Sequence, residues 1–136
     1  MGDRFDGFRR LLVADKELVD LYDRGMRDPA QLDEAELVRF RLMNFIALEG
    51  AQASFLIKDN SAAARAQFEA LDKLFTQVVG SPGGRAWWSM FGNTMHPRFK
   101  AYMDSNLAKT PISRVVTKQD WIDALNALAI EKETAS

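Results

Sequence analysis

The 136-residue chain has no cysteine and only one histidine, His96. The first absence excludes a disulfide framework, a thiolate metal site and a thiol nucleophile. The second leaves a Ser–His–acid triad or a histidine metal site with a single available member. Only a carboxylate-rich metal site is left open, and no E-x-x-H or H-x-x-x-H spacing occurs, so neither metal nor cofactor is expected. His96 stands directly before Pro97, where a turn or capping role is the ordinary one. An excess of one charge is also missing: 18 Lys+Arg face 19 Asp+Glu for a net charge of -1. The signs are mixed, with Arg9 and Arg10 followed by Asp15, Lys16 and Glu17. A nucleic-acid binder shows a clustered basic excess, so nucleic acid is not an expected partner. Long hydrophobic runs are absent as well. The longest weakly charged stretch, Leu42–Ile57, contains Asn44, Glu49, Gln52 and Ser54 and falls short of the roughly 18 to 20 apolar residues of a spanning helix. Met1–Arg10 is too polar for a signal peptide. The expectation is a soluble, cytoplasmic chain that does not insert into a membrane.

What is present is enough for a core. Hydrophobic residues make up 47% of the chain, and a single domain of this size hides roughly two thirds of its unfolded surface. Phe8, Leu11, Leu12, Leu18, Leu21 and Tyr22 recur at helical spacing and predict a first helix over about residues 4 to 24, ended by Gly25. Asp28-Pro29 starts a turn. Asp33 with Glu36 reads as a capping box for a second helix. That helix carries two apolar stripes, one from Leu37 through Phe40 to Phe55 and one from Val38 through Leu42 to Leu56, so it is expected at the centre with neighbours around it. Lys58-Asp59-Asn60 ends it, and Asn60 or Ser61 caps a third helix with Ala64, Phe68, Leu71, Phe75 and Val78 on one face, stopped by Gly80. Ser81 and Pro82 open a fourth helix that closes at Gly92-Asn93, Pro97 opens a fifth, and Thr117 with Asp120 caps a last helix of about three turns. The only strand-like stretch is Ile112–Val116. The fold expected is all-α, a single-domain bundle of five to six helices with a central apolar second helix. Residues 1–109 form the bundle and 110–136 a C-terminal linker and short helix.

Leu18–Gly25 followed by Asp28-Pro29 (an L-x-x-L-Y-x-x-G…D-P run), Arg39-Phe40-Arg41-Leu42, Glu49 within the second helix, Ser81–Trp88, and Phe99 after a proline form a combination. Over about Phe8 to Leu107 it resembles an uncharacterised family of bacterial helical domains. In relatives with this pattern a hydrophobic N-terminal segment anchors the domain to the membrane. This chain lacks such a segment, which implies a soluble member or a chain that starts downstream of an anchor. Relatives carry aromatic and basic residues plus a glycine where this chain has Leu56-Ile57-Lys58, and the stretch after Thr110 lies outside the resemblance. The family has no assigned activity, so the resemblance bears on the fold.

Five residues stand out as ligand or interface candidates. Glu49 is the only charge between Leu42 and Ile57; it is expected to face packed neighbours, where a desolvated carboxylate either serves as an acid–base group or pairs structurally with Arg41, Arg85 or an indole N–H, the remaining alternative being that it reaches solvent between two helices. Gly83-Gly84-Arg85 before a helix invites an anion-binding reading, but no strand precedes it and no G-K-[ST] follows, so a turn with Arg85 stacked on an indole is the better expectation. Trp87 and Trp88 project about 100° apart on a helix, so one is expected in the core and the other at a groove rim or interface. Trp121 heads the stripe Trp121, Leu125, Leu128 of the last helix. No catalytic set assembles from these residues. The function expected is a non-catalytic helical interaction or regulatory module, forming a homodimer or meeting another protein. The alternative is a small-molecule binder or weak enzyme with a pocket near Glu49, Arg85 and the tryptophans.

Overall fold

The computed structural model describes Arg10 and residues 15–135. Among these there are six α-helices and no strand: α1 Lys16–Arg27, α2 Glu34–Leu56, α3 Ala62–Gly80, α4 Pro82–Phe91, α5 Pro97–Lys109 and α6 Lys118–Ala135. The all-α bundle is as expected. The first helix differs at both ends. Asp15 is extended and accepts hydrogen bonds from the Glu17 and Leu18 N–H groups, so it caps a helix that begins at Lys16; most of the predicted 4–15 stretch lies outside the described residues. Gly25 does not end α1, which runs to Arg27. The stop is Asp28, held extended (φ -160, ψ 96) by the proline that follows it. Gly25 serves packing instead: a Cβ there would overlap the ring of Phe40.

Asp33 and Glu36 form the capping box that opens α2, with N···O distances of 2.8 and 3.1 Å. The helix is central and packs against α1, α3, α4 and α5. Phe40, Met43, Asn44, Ala47, Leu48, Ala51 and Phe55 are buried along it. It is not covered on all sides, however: Leu37, Val38, Leu42 and Ile46 remain at the surface. Ser61 caps α3. Ser81 joins α3 to α4 in one residue: its N–H reaches the Gln77 carbonyl, while its hydroxyl donates to the Val78 carbonyl and accepts from the Gly84 N–H. Gly83 then lies on the backbone of α1, where a Cβ would overlap the Gly25 carbonyl. The missing side chain of Gly83 is what lets α4 lie directly on the backbone of α1, while that of Gly25 makes room for Phe40 of α2.

His96 caps α5 through Nδ1, which accepts from the Arg98 N–H at 3.1 Å, and its own N–H donates to Gln52 of α2. The segment 110–117 forms no strand. It is pinned across the ends of the bundle: Ser113 N–H donates to the Gly80 carbonyl at 2.8 Å, and the Arg27 guanidinium donates to the carbonyls of Val115 and Val116. Thr117 and Asp120 cap α6 reciprocally. This helix has 18 residues, five turns where about three were expected. Its side chains from Trp121 to Thr134 are all exposed.

Candidate functional site

The five singled-out residues do not converge. Glu49 sits on an exposed position of α2, which corrects the expectation that it faces packed neighbours and agrees with the alternative that it reaches solvent. The apolar run around it is wrapped only on the opposite face, and residue 49 falls on the open one. Arg85 does not stack on an indole. Its Nε donates to the Gly80 carbonyl at 3.1 Å, and its terminal nitrogens donate to the carbonyls of Leu107 at 3.4 Å and Thr110 at 2.5 Å. Both α3 and α5 end with unsatisfied carbonyls and the negative pole of the helix dipole, and one guanidinium serves both.

Trp87 and Trp88 are both buried, at 2% and 7% exposure, so neither is a rim residue. The 100° between them is accommodated because α4 is wedged between layers. Trp87 faces α2, donates its indole N–H to the Arg41 carbonyl at 3.1 Å and meets Phe45 edge-on. Trp88 faces α5, meets Phe99 edge-on and donates to Asp104 Oδ1 at 2.8 Å. A burial cost for each indole N–H is thus avoided. Asp104 escaped sequence reasoning, although its spacing of four from Lys100 was visible; the ammonium and the carboxylate are 2.5 Å apart. The hydrogen bond from Lys100, then that from Trp88, hold the Asp104 carboxyl below its ordinary range. Arg24, bonded to Glu36 at 2.6 Å, does the same for Glu36. The Arg114 pair and the Thr117 N–H hold Asp120 well below it. These groups pair at helix ends and helix–helix contacts. Each of these carboxylates is engaged in an ion pair.

Trp121 is the exception among the tryptophans, 68% exposed on α6. Leu125 and Leu128 continue its stripe, both more than half exposed. On the body, a groove of about 220 Å³ runs between α2 and α4, floored by Phe40 and Trp87 and edged by Leu37, Val38, Met90 and Phe91. Arg41 lies 5.8 Å over the Phe91 ring at its edge. A second groove of about 530 Å³ lies between α1, α3 and the pinned segment, lined by Val19, Tyr22, Leu74, Val78 and Val115 among others. The Tyr22 hydroxyl bonds to Asn44 Oδ1 at 3.0 Å, and burial pushes its pKa far up, so it stays a neutral donor. Among the described residues, no group of three or more His, Asp or Glu side chains could hold a metal ion, and no helix is long and apolar enough to cross a membrane. No family model, curated protein or solved structure matches the chain.

Proposed function

We propose that this chain is a non-catalytic helical interaction module that self-associates through its C-terminal helix α6. The observation that carries the reading is an 18-residue helix whose apolar stripe, Trp121, Leu125 and Leu128, stays in water. An isolated helix of this length is marginal, and helices in proteins owe most of their stability to docking an apolar face. A two-fold dimer, the commonest assembly of soluble homo-oligomers, supplies such a face. The dispersal of Glu49, Arg85, Trp87 and Trp88 over separate structural tasks weighs against the small-molecule alternative. The reading includes membership of the helical-domain family that the motifs of α1, α2 and α4 resemble, and a place in the cytoplasm, at a membrane surface if an upstream anchor exists.

Light scattering on the full chain and on a truncation after Thr117 tests the proposal. The full chain should be a dimer at micromolar concentration and the truncated one a monomer. A full-length monomer across that range sinks the reading. A dimer that survives truncation moves the interface to the bundle and removes α6 from the function.

A further inference from the structure

We infer that the groove between α2 and α4 is a binding site for a small aromatic carboxylate, with Arg41 as the residue that takes the carboxylate. The site goes beyond the proposed self-association and does not depend on α6. It is also separate from the pocket expected near Glu49 and Arg85, since neither residue lines it. Its apolar part is already built. Phe40 and Trp87 are buried and form a fixed floor, while Leu37, Val38 and the 64% exposed Met90 stand along the edges. The groove measures about 220 Å³. That exceeds the cavity of about 150 Å³ that takes one benzene and falls short of the roughly 300 Å³ at which drug-sized sites begin. One ring with a short side arm is the size it admits.

The charge at the edge selects the sign of the ligand. Among the described residues Arg41 is the only charged side chain lining the groove. Arg24, Arg27, Arg65 and Arg114 each hold a carboxylate, whereas Arg41 forms no ion pair among the described residues. α4, which makes the opposite wall, contains no Asp or Glu to meet it. The guanidinium carbon lies 5.8 Å over the Phe91 ring. Stacking of this kind uses the face of the planar group and leaves its N–H edge open to a carboxylate. The root of the side chain is held as well, because the Trp87 indole N–H donates to the Arg41 carbonyl at 3.1 Å. An apolar trough with one fixed cation suits a ligand with an apolar body and a single negative end.

The walls favour an aryl body over an alkyl one. Trp87 and Phe91 lie side by side, with ring centroids 5.6 Å apart and planes inclined at 45°, and a third ring extends such an arrangement in the offset geometries that aromatic groups prefer. Met90 adds a flexible, polarisable thioether at the open side, a favourable neighbour for a ring.

Full-length protein carrying 13C-methyl methionine tests the inference, with 3-phenylpropionate as the probe and its neutral amide as the comparison. Met90 is the reporter. Met26, Met43, Met95 and Met103 are buried and do not line the groove, and Met90→Leu assigns the signal. The probe should shift the Met90 methyl saturably, with a dissociation constant of about 1 mM for a ligand of this size. The amide should bind about fivefold more weakly, the size of one partly exposed charge pair. Arg41→Gln, at an exposed position and checked for folding by circular dichroism, should bind acid and amide alike, and Arg41→Lys should restore part of the preference. Equal binding of acid and amide by the parent overturns the inference, as does a preference that survives Arg41→Gln. No saturation at ten times that concentration overturns it too. So does a probe that moves the Trp121 indole proton and leaves Met90 unmoved, because it then sits on the α6 stripe. Light scattering decides the dimer separately: a monomeric chain that binds the probe in this way rejects the proposed self-association and keeps the site.

Discussion

At the scale of single residues, the backbone contacts of glycine and the carbonyls gathered by arginine decide more than any titrating group. Gly83 and Gly25 are both buried at the α1–α4 contact, but they differ in what a methyl group would meet. At Gly83 it would meet the backbone of α1, which cannot turn away. At Gly25 it would meet the edge of the Phe40 ring, a side chain with some freedom to shift. Gly83→Ala should therefore cost at least about 3 kcal/mol, the upper end of overpacking costs, and Gly25→Ala less; urea denaturation of the two variants checks the order. Equal losses would mean that Phe40 is as immovable as the backbone. Glu49 teaches the converse. It is the lone charge in an apolar run, which suggested burial, yet its position on the open face of α2 explains the charge without any special chemistry.

At the scale of elements, the segment 110–117 behaves as a clasp, since its bonds reach three separate parts of the bundle. Thr110 accepts from Arg85, Ser113 donates to the end of α3, and Val115 and Val116 accept from Arg27. Hydrogen bonds to a charged donor contribute about 1.5 to 3 kcal/mol each when buried and less at the surface. A chain ending at Lys109 loses all of these partners and leaves two guanidinium groups without them. A chain ending at Thr117 keeps the clasp and loses only α6. The Lys109 truncation should melt several degrees below the Thr117 truncation in a thermal scan, and equal melting temperatures would show that the clasp contributes nothing. This is also why a cut after Thr117, not after Lys109, is the one that tests the proposed self-association through α6.

At the scale of the whole molecule, a net charge of -1 leaves little global repulsion at neutral pH, so local carboxylate pairs set the acid stability. Glu36, Asp104 and Asp120 all have lowered values in the folded chain, held by Arg24, Lys100 and Arg114 first. A lowered folded value means that the unfolded chain binds protons first as the pH drops. The stabilisation is fully present above the unfolded values, near about 4, and is lost as pH falls through the lower folded ones. Stability should decline below about pH 4, and Asp104→Asn should flatten that decline while keeping an acceptor for the Trp88 indole. Denaturation midpoints across the acid range measure this; an unchanged slope in the variant would assign the decline to other groups.

The helices themselves were legible in the chain because their signals are local. Asp33 with Glu36, Ser61, Ser81, His96 and Thr117 with Asp120 each satisfy backbone groups within a few residues, Pro82 and Pro97 fit the first turns, and each signal opens a helix in the structure. The centrality of α2 followed from its two apolar stripes. The first helix, expected over about residues 4 to 24 and ended by Gly25, is instead capped by Asp15 and runs to Arg27, because periodicity alone does not register a cap inside a run, nor a glycine retained for a neighbour's ring. The candidate site was hardly legible. Whether Trp87 and Trp88 are both buried depends on α4 having α2 on one side and α5 within reach of the other, and the partner of Trp88 is Asp104, sixteen residues on. Arg85 and Arg27 find carbonyls up to 25 and 89 residues away. Those pairings depend on how the helices are stacked, which capping and hydrophobic period do not encode. Local chemistry determined where each helix begins, while the long-range packing of the helices decided which side chains were consumed by the core and which, like Trp121 and Met90, were left in water.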